Sequence, residues 1–235
     1  MNNYAYIASN LDKIKTALAD AAARSGNPVP ELVAVTKSAS PEEVLALSEL
    51  GISCMAENRV QLLRERKELL RERGQVFDLI GSLQTNKVKY VVGEVRLIQS
   101  LDSLRLAEEI NRIAEKRGTA VSVLVEINSA REEAKGGILP EEAEGFLARL
   151  TDFPAVRPVG LMTMGPASRD AAALRTCFRE TRALFRKLAA AGAFTTDSPI
   201  LSMGMSESYI IAAEEGATMV RVGRALFEEP KTENH

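Results

Sequence analysis

The sequence lacks most of the residues on which hydrolytic triads and metal sites depend. Its 235 residues include one histidine, His235 at the last position, and two cysteines, Cys54 and Cys177. Ser-His-Asp hydrolysis, Cys-His proteolysis and histidine-ligated zinc are therefore excluded as expected functions. Two cysteines are too few for a disulfide scaffold and have no metal-binding spacing, which indicates a chain that stays reduced.

The chain also lacks an excess of charge, a long hydrophobic run and a secretory leader. Thirty basic residues stand against 32 acidic ones, so no excess positive charge is present to bind nucleic acid. No apolar run reaches the length of about 18 residues that a membrane span requires. The N-terminus MNNYAYIASNLDKIK has no basic segment followed by an apolar one. We therefore expect a cytoplasmic globular protein without nucleic-acid or membrane partners.

Short apolar segments alternate with helical patterns along the chain. Residues 1–26 contain Ile7, Leu11, Ile14 and Leu18 at helical spacing, which predicts a leading helix. Strands are predicted at 31–36, 52–55, 77–80, 96–99, 121–127, 157–162, 199–203 and 218–222. Helices are predicted between them, at 42–50, 58–73, 83–92, 102–117, 140–151, 170–191 and 206–215.

This alternation is typical of an α/β protein, a (β/α)₈ TIM barrel with an additional N-terminal helix. A doubly wound open sheet is the alternative, because both folds are built from βα units. The count of eight strands and the length of 235 residues favour the barrel. We expect residues 1–235 to form one domain, with 228–235 as a short tail.

In such a barrel the functional residues lie at the carboxyl ends of the strands. The first predicted strand ends in VAVTK, and alternation places Val33, Val35 and Lys37 on its interior face. Burial would lower the pKa of the Lys37 amine and allow it to form a Schiff base with an aldehyde. The alternative is a lysine that extends its amine into solvent at the end of the strand.

The loops after the seventh and eighth strands have the composition of a phosphate site. One contains Ser202, Gly204 and Ser206 within LSMGMSESY, and the other contains Gly223 within VRVGRALF. Loops at these two positions form the recurrent phosphate site of TIM-barrel enzymes. Glycine lets backbone N–H groups approach phosphate oxygens, and Ser206 is predicted to cap a helix and to donate a hydrogen bond.

An arginine completes the predicted site. Arg221 shares a strand face with Met219 and Gly223. It is interpreted either as a ligand contact or as a partner of Glu57 or Glu126 in an ion pair. An amine, a phosphate cradle and an arginine together indicate a ligand with an aldehyde and a phosphate. Pyridoxal 5′-phosphate (PLP) fits that description, and so does the phosphosugar of a Schiff-base aldolase.

Eight segments spread over nearly the whole chain carry a family resemblance. They are LVAVTKSASPEEV at 32–44, AENRVQ at 56–61, IGSLQTNKVK at 80–89, IQSLDS at 98–103, VEINSAREEAKGG at 125–137, VGLMTMGP at 159–166, LSMGMSESYIIAAEEGATMVRVG at 201–223 and ALF at 225–227. By these segments the chain resembles the pyridoxal phosphate homeostasis proteins, a family of PLP-binding proteins. So many matches in consistent order make the resemblance specific.

The resemblance implies a barrel similar to the N-terminal domain of alanine racemase. It implies that PLP, the active form of vitamin B6, is held as a Schiff base on Lys37. It further implies that Asn58 lies beside the cofactor ring and that Ser202 and Met203 line the pocket.

The same resemblance places the phosphate group against Ser206, Gly223 and Arg224. Thr or Ser commonly follows the glycine in this family, so Arg224 replaces a hydroxyl contact with a charged one. The resemblance places Arg221 near the pyridine nitrogen. Because an arginine keeps its proton, it leaves that nitrogen unprotonated, and the ring is then a poorer electron sink.

The resemblance implies a monomeric protein of PLP homeostasis that holds PLP without catalytic turnover and has PLP-requiring apoenzymes as candidate partners. A PLP-dependent racemase or lyase is the alternative. Racemases of this fold add a β-rich second domain for which this chain leaves no residues, and no histidine is available as an opposing base. Two further positions depart from the family pattern: Ser82, where histidine is frequent, and Ser208, where an acidic residue is frequent.

Overall fold

The computed structural model describes residues 4–132, 135–167 and 170–229. Eight parallel strands form a closed barrel in chain order, which confirms the TIM barrel over the open sheet. The strands are β1 (Glu31–Val35), β2 (Cys54–Glu57), β3 (Val76–Leu79), β4 (Leu97–Leu101), β5 (Val121–Glu126), β6 (Val156–Met162), β7 (Ile200–Ser202) and β8 (Met219–Val222). His235 and most of the predicted tail lie outside the described residues.

The α-helices surround the barrel and alternate with its strands. They are α1 (Ala5–Ser25), α2 (Pro41–Ser48), α3 (Val60–Leu69), α4 (Leu104–Lys116), α5 (Ala143–Leu150), α6 (Ala171–Ala190), α7 (Tyr209–Glu214) and α8 (Arg224–Phe227). Within the described ranges, no helix combines the length and the apolar composition needed to cross a membrane.

Two apolar cores result from the alternation of side chains along the strands. Val33 and Val35 pack inside the barrel with Leu124 and Met219, whereas Ala34 faces the layer between barrel and helices. This confirms the predicted interior face of β1. Barrel closure pairs Val33 with Arg221 of β8, so the carboxyl ends of the first and last strands lie side by side.

The leading helix α1 packs its apolar face on the barrel. Ile7, Leu11 and Leu18 are buried, as their helical spacing predicts. The Asn10 side chain donates hydrogen bonds to the backbone oxygens of Leu226 and Glu228, 3.2 and 2.9 Å away. α1 therefore holds the segment that follows the predicted phosphate loop.

Two predicted helices differ from the structure. The helix expected over 83–92 is a 3₁₀ helix, Thr85–Tyr90. Val88, Val91 and Val92 are fully buried at a spacing that a 3₁₀ helix and a following turn also satisfy. The helix expected over 206–215 begins only at Tyr209, because a tight turn precedes it. Gly204 has φ +91° there, and a Cβ on it would lie 2.4 Å from the Cβ of Ala212.

Candidate functional site

A cavity of about 210 Å³ opens at the carboxyl ends of the barrel strands. Its apolar walls include Ile80, Met164 and Leu174. Five of the predicted site residues line it: Lys37, Ser206, Arg221, Gly223 and Arg224. The structure therefore brings the predicted amine, the phosphate loops and the arginine to one cavity.

Lys37 lies on the cavity wall two residues beyond the end of β1 and is exposed. The expectation of a desolvated amine is therefore wrong for this structure, and the solvent-directed alternative holds. The neighbouring backbone is anchored, because Thr36 Oγ1 donates to Glu57 Oε1 at 2.5 Å and Arg66 donates to the Ala39 carbonyl. An exposed amine on an anchored segment is accessible to a ligand in the cavity.

Glu57 belongs to this anchor and not to the cavity. Its side chain is fully buried, and one carboxylate oxygen, Oε2, has no hydrogen-bond partner among the described residues. Burial raises the pKa of Glu57, and the Thr36 hydrogen bond and the Arg66 charge oppose that rise. Arg66 Nε lies 3.9 Å from Glu57 Oε1. Among the described residues, Glu57 thus pairs with Arg66 and not with Arg221.

The loop after β8 presents backbone N–H groups to a single point. The Gly223 and Ala225 N–H groups both donate to Ser206 Oγ, at 3.1 and 3.4 Å. A Cβ at position 223 would lie 3.0 Å from the Val35 carbonyl oxygen, so glycine lets this loop pack closely on the end of β1. Ser206 does not cap α7, contrary to the prediction, because Ser208 occupies the N-cap position. These two N–H groups already converge on an oxygen atom, Ser206 Oγ, and such an arrangement is suited to binding a phosphate oxygen.

Arg224 lies on the outer side of the same loop. It is exposed and forms an ion pair with Glu207, Nη2 to Oε1 3.1 Å, across the cavity entrance. Side chains from the loops after β7 and β8 therefore meet at the entrance, and a phosphate that binds Arg224 would compete with Glu207.

Arg221 is buried beneath the cavity. Nη1 donates to Ser202 Oγ at 2.5 Å and Nη2 to the Thr163 carbonyl at 2.9 Å. Burial lowers its pKa to about 10, while the charge of Glu126 opposes that shift. No described carboxylate lies within ion-pairing distance, so the hydrogen bonds to Ser202 and Thr163 hold the guanidinium in place.

Glu126, at the end of β5, is a buried carboxyl near Arg221. Its side chain has no hydrogen bond or ion pair to any other described residue, and Asp102 is a neighbouring carboxylate. Burial and then Asp102 raise the pKa of Glu126 to about 7, against the influence of Arg221. The folded barrel therefore favours the protonated acid, and stability falls as pH rises from 4.5 to about 7.

Glu126→Gln should remove that loss of stability. Relative to the parent chain, the variant should gain about 3 kcal/mol in free energy of unfolding at pH 8, with little gain near pH 4.5. Urea denaturation at both pH values measures this difference. Glu115→Gln, on the exposed face of α4, serves as the control. A gain that is equal at both pH values would contradict the shifted titration.

Three predicted site residues do not line the cavity. Ser202 is fully buried beneath Arg221. Met203 is fully buried in the layer between the barrel and the helices, because adjacent residues of a strand face opposite sides of the barrel wall. The Ser202 and Met203 side chains are therefore not among the residues that line this cavity, and their contact with a cofactor stays a prediction. Asn58 follows β2, and its Oδ1 atom is buried without a partner among the described residues. Contact of Asn58 with a cofactor ring stays a prediction.

The sequence interpretation missed the polar groups beneath the cavity. Asp78 of β3 and Gln99 of β4 are fully buried and hydrogen-bonded to each other, Nε2 to Oδ2 2.8 Å. Both occupy interior positions of otherwise apolar strands, in VFDL and LIQSL. A polar residue at an interior position was the available signal, because such a side chain requires a partner.

The fold and the site define a class of protein. Residues 9–230 match the family described as alanine racemase, N-terminal domain. The alanine racemase of Clostridium difficile 630 has the same fold, with a TM-score of 0.76 and 19% sequence identity, over 97% of this chain and 57% of that chain. The chain is therefore a barrel of the alanine racemase type.

Sequence comparison identifies the family to which the chain belongs within this class. A pyridoxal phosphate homeostasis protein of Aquifex aeolicus is 39% identical over 206 residues, which cover 88% of this chain and 90% of that relative. The chain belongs to the family of pyridoxal phosphate homeostasis proteins. The solved structure of PipY from Synechococcus elongatus, with PLP bound, aligns with a TM-score of 0.80 at 29% identity, over 94% of this chain and all of that one.

Proposed function

We propose that this chain binds PLP at the barrel mouth and serves in cytoplasmic PLP homeostasis without catalytic turnover. The observation that carries the proposal is that one cavity joins an exposed primary amine, a backbone N–H cradle and a buried arginine. These groups suit the three functional parts of PLP, which are an aldehyde, a phosphate and a pyridine nitrogen. The solved structure of PipY with PLP bound supports PLP as the ligand.

The residues of the chain have distinct proposed roles. PLP supplies an aldehyde that condenses with an amine and releases water, and Lys37 is the amine. Ser206, Gly223 and Arg224 hold the phosphate through N–H groups, a hydroxyl and a charge. Arg221 faces the pyridine nitrogen as a hydrogen-bond donor and leaves it unprotonated, which disfavours carbanion chemistry.

Weak PLP-dependent turnover is the second candidate function. Glu126 favours it, because a carboxyl with a pKa of about 7 near the mouth has the acidity of a general acid–base group. A panel of amino acids tests this candidate. If the panel shows steady racemase or lyase turnover, and both Lys37→Ala and Glu126→Gln abolish it, catalysis would replace PLP homeostasis as the proposed function.

An absorption spectrum, borohydride labelling and a PLP-transfer assay test the main proposal. Purified protein incubated with PLP should develop a visible absorption band, and borohydride should fix one PLP on Lys37, as located by peptide mass spectrometry. Incubation with a PLP-requiring apoenzyme and a PLP-scavenging protein then separates direct delivery from simple release. Absence of any PLP binding would refute the proposal.

Arg224→Ala should weaken PLP binding about three- to tenfold, because a charge-assisted phosphate contact is lost. The affinity for pyridoxal, which has no phosphate, should not change. Equilibrium titrations with both ligands measure the difference. Lys89→Ala, an exposed cation away from the cavity, is the control. An equal loss for both ligands would place Arg224 outside the phosphate site.

A further inference from the structure

A continuous chain of hydrogen bonds runs through the barrel from the cavity to its opposite end. Arg221 Nη1 donates to Ser202 Oγ at 2.5 Å, and Ser202 Oγ donates to Gln99 Oε1 at 2.7 Å. Gln99 Nε2 donates to Asp78 Oδ2 at 2.8 Å, and Arg96 Nη2 donates to the same oxygen at 2.7 Å. We call these five residues, Arg221, Ser202, Gln99, Asp78 and Arg96, the polar column.

The polar column spans the barrel from mouth to base. At the mouth, Arg221 lines the cavity. At the base, Arg96 directly precedes β4 and donates to Glu31 Oε1, at the start of β1, at 2.7 Å. The surrounding interior is apolar and includes Val33 and Leu124. The column therefore links the cavity floor to the far rim through a region of low polarity.

The direction of every hydrogen bond in the polar column is determined by its charged ends. A carboxylate only accepts, so the Gln99 group that faces Asp78 must be the NH₂. The Gln99 oxygen then faces Ser202, whose hydroxyl must donate to it. The Ser202 oxygen is left to accept from Arg221. Asp78 thus sets the orientation of a guanidinium three hydrogen bonds away.

Burial makes this arrangement costly to break. Asp78, Gln99 and Ser202 are each 0% exposed, and Arg221 is 3% exposed. An unpaired polar group in such an interior costs far more than one in water, so members of a fully paired network hold one another in place. The second anchor of Arg221, the Thr163 carbonyl, fixes its other terminal nitrogen.

We propose that the polar column positions Arg221 toward the pyridine nitrogen of PLP, with Gln99 and Ser202 as positioning residues. The inference rests on the proposed function, since it takes PLP as the occupant of the cavity. Two of the five guanidinium N–H donors are taken by Ser202 and Thr163, and the other three have no partner among the described residues.

Gln99→Met tests the proposal with a side chain of similar volume that cannot link Asp78 to Ser202. Its affinity for PLP should fall about tenfold. Its affinity for 1-deaza-PLP, which carries C–H in place of the ring nitrogen, should change less than about twofold. A structural defect of the barrel would weaken both ligands equally, so the ratio of the two affinities is the decisive measurement.

A conservative substitution, Gln99→Glu, should preserve the link between Asp78 and Ser202 at low pH and lose it at high pH. The introduced carboxyl, when protonated, can donate to Asp78 and accept from Ser202, as the glutamine amide does. When ionised, it faces the Asp78 carboxylate and repels it. The affinity ratio of this variant should match the parent chain near pH 6 and match Gln99→Met near pH 8.5. The ring-nitrogen chemical shift of bound ¹⁵N-labelled PLP should follow the same change.

A control and a second variant complete the test. Thr181→Val removes a buried hydrogen bond to Ser129 remote from the column and should leave the affinity ratio unchanged. Ser202→Ala, a small change, should repeat the loss seen in Gln99→Met and replaces it if that variant does not fold. A parent chain that binds no PLP would refute the proposed function itself. A parent chain that binds PLP, with an unchanged ratio in the column variants, would overturn only the role of the column.

Discussion

Lys37→Ala should lose covalent PLP entirely and bind the cofactor at least about a hundredfold more weakly. The lost bond is the only covalent one proposed, and the phosphate and ring contacts that remain are noncovalent. A hundredfold loss corresponds to about 2.7 kcal/mol of binding free energy. Lys37 is exposed, so the free energy of unfolding should change by less than about 0.5 kcal/mol.

Absorbance titration and borohydride labelling measure this loss. Lys87→Ala, which removes another exposed lysine, is the matched control and should retain the visible band and the labelling. A Lys37→Ala protein that keeps the band and the affinity of the parent chain would show that another amine carries the cofactor. The amines that line or adjoin the cavity would then have to be tested in turn.

The convergence of Lys37, Ser206 and Gly223 could be predicted because it follows from barrel closure. Alternation places Lys37 at the interior end of the first strand, and the last strand must lie beside the first in a closed barrel. Neither step needs side-chain packing. The same rule of alternation could have excluded Met203 from the cavity, since Ser202 beside it already faces the interior.

Features that depend on packing could not be predicted. Val88, Val91 and Val92 have helical spacing, but the segment forms a 3₁₀ helix. The apolar strand before Lys37 left two interpretations open, a desolvated amine and a solvent-directed one, and the structure exposes the residue because the chain leaves the barrel at Thr36. Whether a strand ends one residue earlier or later is decided by contacts such as that of Thr36 with Glu57, which join distant segments.

The polar column could not be predicted from the sequence for a related reason. Asp78 and Gln99 are isolated polar residues in apolar strands, and their partners come from different strands or loops. A sequence pattern can indicate that such a residue is buried, but it does not indicate which group is its hydrogen-bond partner. Only closure of the barrel, which brings β3, β4 and β7 around one axis, reveals the pairing.

Asp78→Ala should be the most destabilising of the substitutions considered. It removes both acceptors of the Arg96 side chain inside the barrel, Nε to Oδ1 at 2.9 Å and Nη2 to Oδ2 at 2.7 Å. It also leaves the buried Gln99 amide without its charged partner. Removing one member of a buried ion pair typically costs about 3–5 kcal/mol, and we expect a loss of about 4 kcal/mol in the free energy of unfolding.

A double-mutant cycle of Asp78→Leu and Arg96→Leu separates the ion pair from the cavity that alanine leaves behind. Arg96 is partly exposed at the base of the barrel, so its own replacement should cost less than that of Asp78. If the ion pair carries the loss, the double variant should be more stable than the sum of the two single effects by at least about 1.5 kcal/mol. Additive effects in urea denaturation would instead assign the loss to packing.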